Sequence, residues 1–199
     1  MKRFAFILFI TITAVGTLLA ANQSDATRVL DKATQKVSIG RGVQMNFSIS
    51  STKIKQSGTI TIKGKKFRAT TPIATIWYDG KTQWTYNKKS DEVNIASPSA
   101  STQQSMNPYY FLNLYKQGYT KSMTKTGKGY DIHLVGKGRK ISEMYVTIDK
   151  NYNLKQIKIK QGNEWMTISV SGVRNVTPSD SFFRFNSKDY PKAEVIDLR

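Results

Sequence analysis

The chain has 199 residues, no cysteine, a single histidine, a formal charge of +18 and a mean hydropathy of −0.44. Disulfides and thiol chemistry are therefore excluded, and one histidine leaves little material for metal or acid–base chemistry. A basic excess of this size points to nucleic acid or to an anionic surface, and the N-terminus sets nucleic acid aside.

Lys2 and Arg3 precede an apolar, uncharged run from Phe4 to Leu19, followed by Ala20 and Ala21 and then by polar sequence from Asn22. This is the order of a cleavable export signal. Residues 1–21 are expected to be removed and residues 22–199 to form one domain. The run is short for a spanning helix, and no cysteine follows it to take a lipid, so the expected product is soluble outside the cytoplasm. Ser24 reads as an N-cap. Ala26, Val29, Leu30, Ala33 and Val37 then recur at helical spacing until Gly40 and Gly42.

From Val43 the period changes to two. Val43, Met45, Phe47 and Ile49 alternate with polar residues, and Ile60 and Ile62 do the same after a turn near Ser57-Gly58. Phe67 opens a short strand that Pro72 ends. Ile73–Tyr78 and Lys81–Tyr86 flank Asp79-Gly80, a hairpin signal because both residues tolerate positive φ. Glu92–Ala96 is a further strand. Ser97–Asn107 is rich in Ser and Gln and reads as a loop, and Pro108–Tyr115 reads as a short aromatic helix. Strands resume after Tyr119, with Tyr130–Val135, Ile141–Asp149, Leu154–Gln161 and Trp165–Val173 separated by turn sequences, and Ser181–Phe185 forms a last piece.

About ten or eleven strands exceed what a flat sheet carries without curling. The expected fold is mainly β (α+β): one curled antiparallel sheet forming a half-open, incomplete barrel, with an N-terminal helix and short lid helices over an apolar cavity. Catalytic groups are sparse. His133 falls on the polar side of its strand, opposite Ile132, and reads as a surface residue. Asp79, Asp91, Asp149, Asp180 and Asp189 fall in turns or caps. Gly-x-Ser-x-Gly and phosphate-binding glycine loops are absent from the sequence. A non-enzymatic protein without metal or cofactor is expected. What the chain has in excess is large amphipathic side chains, with three Trp, ten Tyr and nine Phe.

Ser57-Gly58-Thr59-Ile60-Thr61-Ile62-Lys63, then Phe67-Arg68, Pro72 and Tyr78-Asp79-Gly80-Lys81-Thr82-Gln83-Trp84-Thr85-Tyr86-Asn87 resemble the lipoprotein carrier family LolA. Asn107-Pro108-Tyr109-Tyr110-Phe111-Leu112 resembles the start of that family's lid helix, and Phe183-Arg184-Phe185 and Val195-Ile196-Asp197 resemble its C-terminal end. The resemblance covers nearly the whole chain after the signal. It implies a periplasmic chaperone that shields lipoprotein acyl chains between the inner and outer membranes. Its expected partners are those acyl chains, an ATP-driven inner-membrane extraction complex and an outer-membrane receptor, and it is expected to act as a monomer. A carrier of other lipids and an envelope-stress or lipoprotein sensor are alternatives on the same scaffold.

By resemblance, Phe67, Trp84, Tyr86, Pro108 and Leu112 match cavity, hairpin and lid positions. Phe47, Trp77, Phe111, Tyr115, Met144 and Trp165 complete the expected ligand-binding set. Two departures stand out. Gly64 occupies the position where the family often has a lid-latching Arg, which leaves Lys63 and Lys65 as latch candidates, and Ala69 stands where an aromatic is common.

Overall fold

The computed structural model describes residues 13–38, 42–98, 111 and 113–199. Gly40, most of the loop before Pro108, Pro108 itself, Leu112 and the first twelve residues of the expected signal lie outside them.

The alternating segments form strands because one side of each can be buried while the other stays wet. They are β1 (Gly42–Ser50), β2 (Lys55–Lys63), β3 (Lys66–Thr70), β4 (Ala74–Tyr78), β5 (Gln83–Asn87), β6 (Glu92–Ala96), β7 (Thr120–Thr126), β8 (Gly129–Val135), β9 (Ile141–Asp149), β10 (Leu154–Gln161), β11 (Glu164–Val176) and β12 (Glu194–Asp197). All twelve belong to one sheet, in the order β12-β6-β5-β4-β3-β2-β1-β11-β10-β9-β8-β7. Two hairpin meanders, β1–β6 and β7–β11, meet through the long antiparallel β1–β11 pair, whose register shifts between Gln44 and Asn46. The sheet does not close, since β12 and β7 occupy opposite edges.

One expectation fails at the C-terminus. Ser181–Phe185 is not a strand; Asp180–Phe183 is a 3-10 turn. The last strand is instead β12, which pairs in parallel with β6 and is the exception in an otherwise antiparallel sheet.

The helix α1 spans Thr13–Ser38. Ser24 therefore lies inside it and is not its cap. Nothing between Thr13 and Ser24 breaks a helix except Gly16, so the apolar stretch and the amphipathic stretch join. The expected stripe is real: Ala26, Val29, Leu30 and Ala33 are buried against the sheet's concave face. Asn22 fixes the approach, since its side-chain amide donates to the Met123 carbonyl (3.1 Å) and accepts from the Met123 N–H (2.6 Å) on edge strand β7. Lys36 reaches Asn153 on the β9–β10 turn at 3.1 Å.

The ladders sort residues to faces. Met45, Ile60 and Ala69 are successive cross-strand partners, as are Ile168, Ile157, Val146 and Ile132. All belong to the concave core. A second apolar layer lies on the convex face of β3–β6, beneath residues 180–198. There Phe183 and Val93 are fully buried, and Trp77 packs edge-on against Phe185 (5.7 Å) and Tyr190 (5.6 Å).

Candidate functional site

The concave face is filled by α1 over part of its width and left hollow beside it. The hollow is a groove of about 320 Å³ over β1–β4 and β11, walled by Phe47, Ile49, Ile60, Phe67, Ala69, Ile76, Phe111 and Ile168. Gln56 and Thr71 are the polar lining residues, and Ile73 stands at the rim, 57% exposed. Each strand contributes alternate residues, so a half-buried sheet builds a continuous apolar wall without exposing backbone polar groups. Ala69 keeps this wall thin. Its neighbours across the ladders are Ile60 and Ile76, and an aromatic in its place would project into the space.

Phe111, which lines the groove, precedes a short segment that packs into the core. Phe111, Leu114 and Tyr115 are buried in the core, and Leu114–Gln117 forms a 3-10 turn ended by Gly118. This segment is tied to α1, because the Tyr115 hydroxyl donates to Asp31 and Lys116 lies 3.9 Å from the same carboxylate. Burial and the neighbouring Asp31 both push the Tyr115 hydroxyl pKa well up from its ordinary value. Asp31 was missed by sequence reasoning. A half-exposed acid in a helix gives no pattern, and its partner lies 84 residues away.

The expected site residues separate into groups. Phe47, Phe67 and Phe111 line the groove. Met144 is fully buried in the core and is not among the groove-lining residues, and Tyr115 is buried within the lid segment itself. Leu112 lies outside the described residues. Trp77, Trp84 and Tyr86 sit on the opposite face. Trp77 pairs with Trp84 and Thr75 with Tyr86, whereas the groove residue Ile76 pairs with Thr85. Period-two alternation explains the difference, since neighbours along a strand point to opposite sides. Trp77 and Tyr86 instead hold the C-terminal segment, with Trp77 against Phe185 and Tyr190 and Tyr86 4.6 Å from the Tyr190 ring and donating to Asp91. Trp165 lies near the end of the sheet, 38% exposed.

The latch candidates are also placed elsewhere. Lys63 donates to the Pro178 carbonyl at 3.0 Å and lies 3.5 Å from Asp180, so among the described residues it engages the chain around the C-terminal 3-10 turn. Gly64 and Lys65 form the two-residue β2–β3 turn. Gly64 has φ 60°, and a Cβ there would meet nothing within 4 Å. A side chain at this position would be strained and would point into solvent, so the absence of an Arg follows from the register.

A larger hollow of about 570 Å³ lies on the convex face, but half of its lining residues are Ser, Thr, Gln and Lys, with Asp131 and His133 beside them. His133 lies there, 2.9 Å from Glu143 and stacked on Tyr145 at 4.3 Å. Hydrogen bonds from Tyr145 and His133 hold the Glu143 pKa below the usual carboxylate range. Among the described residues no cluster of potential metal ligands occurs, and no helix is long and apolar enough to cross a membrane.

Residues 16–163 match a family described as outer membrane lipoprotein carrier protein LolA. Among curated proteins none matches the chain. Among solved structures, an uncharacterized conserved protein from Thermus thermophilus superposes with a TM-score of 0.59 at 12% identity, covering 87% of this chain and 99% of that one. A LolA superfamily protein from Nitrosomonas europaea gives 0.44 at 11% identity, covering 80% and 97%. LprF from Mycobacterium bovis gives 0.43 at 9%, covering 79% and 97%. At these identities the likeness is one of fold.

Proposed function

Because the chain belongs to the outer membrane lipoprotein carrier protein LolA family, we propose that it is a periplasmic carrier whose concave groove shields the acyl chains of lipoproteins on their way from the inner to the outer membrane. Residues 1–21 act as the export signal, and residues 22–199 are the carrier. The observation that carries this reading is the groove itself: an apolar hollow, open at a rim, on a sheet face whose other part is packed shut.

The size of the groove sets its cargo. An apolar cavity of ~150 Å³ holds one benzene, or ~25 Å³ per carbon. At about 320 Å³ the groove takes roughly a dozen carbons, most of one acyl chain. At ~0.8 kcal/mol per methylene, shielding them offsets on the order of 10 kcal/mol of exposure to water. A second or third chain needs the lid segment to move. The tie from Tyr115 and Lys116 to Asp31 is the contact that such movement would break. No bond is made or broken in this cycle. Loading falls to an inner-membrane ATP-driven extraction complex and unloading to the outer membrane or a receptor there.

Purification of the exported chain followed by native mass spectrometry tests the reading. A bound acylated lipoprotein or lipopeptide supports it, and Ala69→Phe should remove the bound mass while leaving the circular-dichroism spectrum unchanged. Recovery of free lipids or pigments alone, with no lipoprotein, would replace it with a carrier of other hydrophobic molecules.

A further inference from the structure

Among the described residues six large hydrophobic side chains stay exposed, and three of them, Ile54 (48%), Ile73 (57%) and Trp165 (38%), gather at one end of the sheet. The antiparallel register places them there. Ile54 ends the β1–β2 turn, Ile73 lies in the β3–β4 turn, and Trp165 follows the β10–β11 turn. The β5–β6 and β8–β9 turns lie at the same end. This is also the end where the groove opens, since its rim includes Gln56, Thr71 and Ile73.

The charges at this end are mostly positive. Lys53, Lys55, Lys88, Lys89, Lys137 and Lys140 are all exposed on these turns. Four acids lie among them: Glu164 pairs with Lys53 at 2.6 Å, Asp91 accepts from Tyr86, Glu92 accepts from Ser90, and Glu194 stands beside Glu92 at the start of β12. The opposite end is basic too, with Lys65, Lys81, Lys128 and Lys150 exposed on its turns and Asp79, Asp149 and Asp180 paired with Arg184, Lys155 and Lys66. It differs in its apolar tips: of the six exposed hydrophobics only Leu198, just after β12, lies there, and the groove does not open on it.

We propose that the mouth end is a membrane-docking surface for an anionic phospholipid bilayer, with Ile54, Ile73 and Trp165 entering the headgroup–acyl boundary and the surrounding lysines contacting headgroup phosphates. The apolar tips stand on separate turns and do not form one contiguous face. That arrangement fits a fluid interface better than the shaped surface of a protein partner. Lysine stems can lie along the interface while their ammonium groups stay in water, and tryptophan favours the same depth. Each lysine near an anionic surface is worth roughly fivefold in partition. Docking at this end brings the groove's opening against the lipid, so an acyl chain could pass without crossing water. The purpose of the contact rests on the carrier reading; the contact itself is tested independently.

The test is flotation of the full chain with vesicles of phosphatidylcholine alone or with about one-third phosphatidylglycerol, at low and high salt. Binding should be at least about tenfold stronger to the anionic vesicles and largely lost at high salt. Ile54→Ser with Ile73→Ser should weaken it about tenfold while keeping the salt dependence, and Lys53→Glu, Lys55→Glu, Lys88→Glu and Lys89→Glu together should abolish it. Equal binding to both vesicle types overturns the proposal. So does no vesicle binding with capture by an acidic protein instead, or an equal loss from Lys65→Glu, Lys81→Glu and Lys128→Glu at the opposite end. Uptake of a fluorescent fatty acid without vesicles reports the groove alone. Failure there overturns the carrier reading and leaves the vesicle result standing.

Discussion

A Cβ at Gly58 would come within 2.1 Å of the Thr70 carbonyl oxygen and 3.2 Å of the Phe47 ring. The first contact is with backbone and cannot be relieved by a rotamer change. Gly58→Ala should therefore destabilise the protein by about 1–3 kcal/mol, read from the shift of the denaturant midpoint, and should displace Phe47 from the groove wall. The lid tie is the second residue-scale contact. Tyr115→Phe removes the hydrogen bond to Asp31 but keeps the buried ring, so a loss of about 1 kcal/mol and faster exchange of a bound acyl probe are expected. Unchanged exchange would show that this contact does not hold the lid. Residue identity was legible in the sequence where period and face agreed. Phe47 follows from the alternation, and Phe67 from the family resemblance. An aromatic in a strand announces burial but not the side: Trp77 lies under the C-terminal segment, while its neighbour Ile76 lines the groove.

At the scale of elements, the C-terminal segment 180–198 works as a strap across the convex face. Its own Phe183 is fully buried against the sheet, and Arg68 lies over the Phe182 ring at 4.9 Å and the Trp77 ring at 5.4 Å. Phe183→Ala should cost about 3–5 kcal/mol of unfolding free energy and increase hydrogen exchange along β12. One tether of the strap is ionic. Lys66 hydrogen-bonds Asp180 and, with Lys63, holds its pKa below the usual carboxylate range. A lowered folded-state pKa stabilises above the unfolded value and is lost as pH falls through the folded one. Exchange protection in residues 180–197 should thus weaken on acidification below about pH 4, and Asp180→Asn should weaken it at neutral pH. The hairpins were legible from their turn chemistry: Asp79 accepts from the N–H groups of Lys81 (3.0 Å) and Thr82 (2.9 Å), as an Asp-led turn should. The strap was not. A 3-10 turn and a four-residue parallel strand carry no period long enough to read, and their stability comes from packing on a sheet that must form first.

For the whole molecule, the fold converts one unclosed sheet into two packed faces with different tasks. The convex side of β3–β6 is sealed by the strap, while the concave side is part core under α1 and part groove. The charge of +18 and the apolar content were visible in the sequence, but their arrangement was not. Only the register shows that exposed isoleucines and lysines share the end where the groove opens. The central claim is that acyl chains occupy the concave groove and not the convex aromatics. Photo-crosslinking from inside living cells tests it most directly, with a photoreactive residue in place of Ile76 on the groove wall or Trp84 on the far face. The account requires crosslinks to acylated lipoproteins from position 76 and none from position 84. Equal labelling from both positions, or lipoprotein labelling from 84 alone, would contradict it.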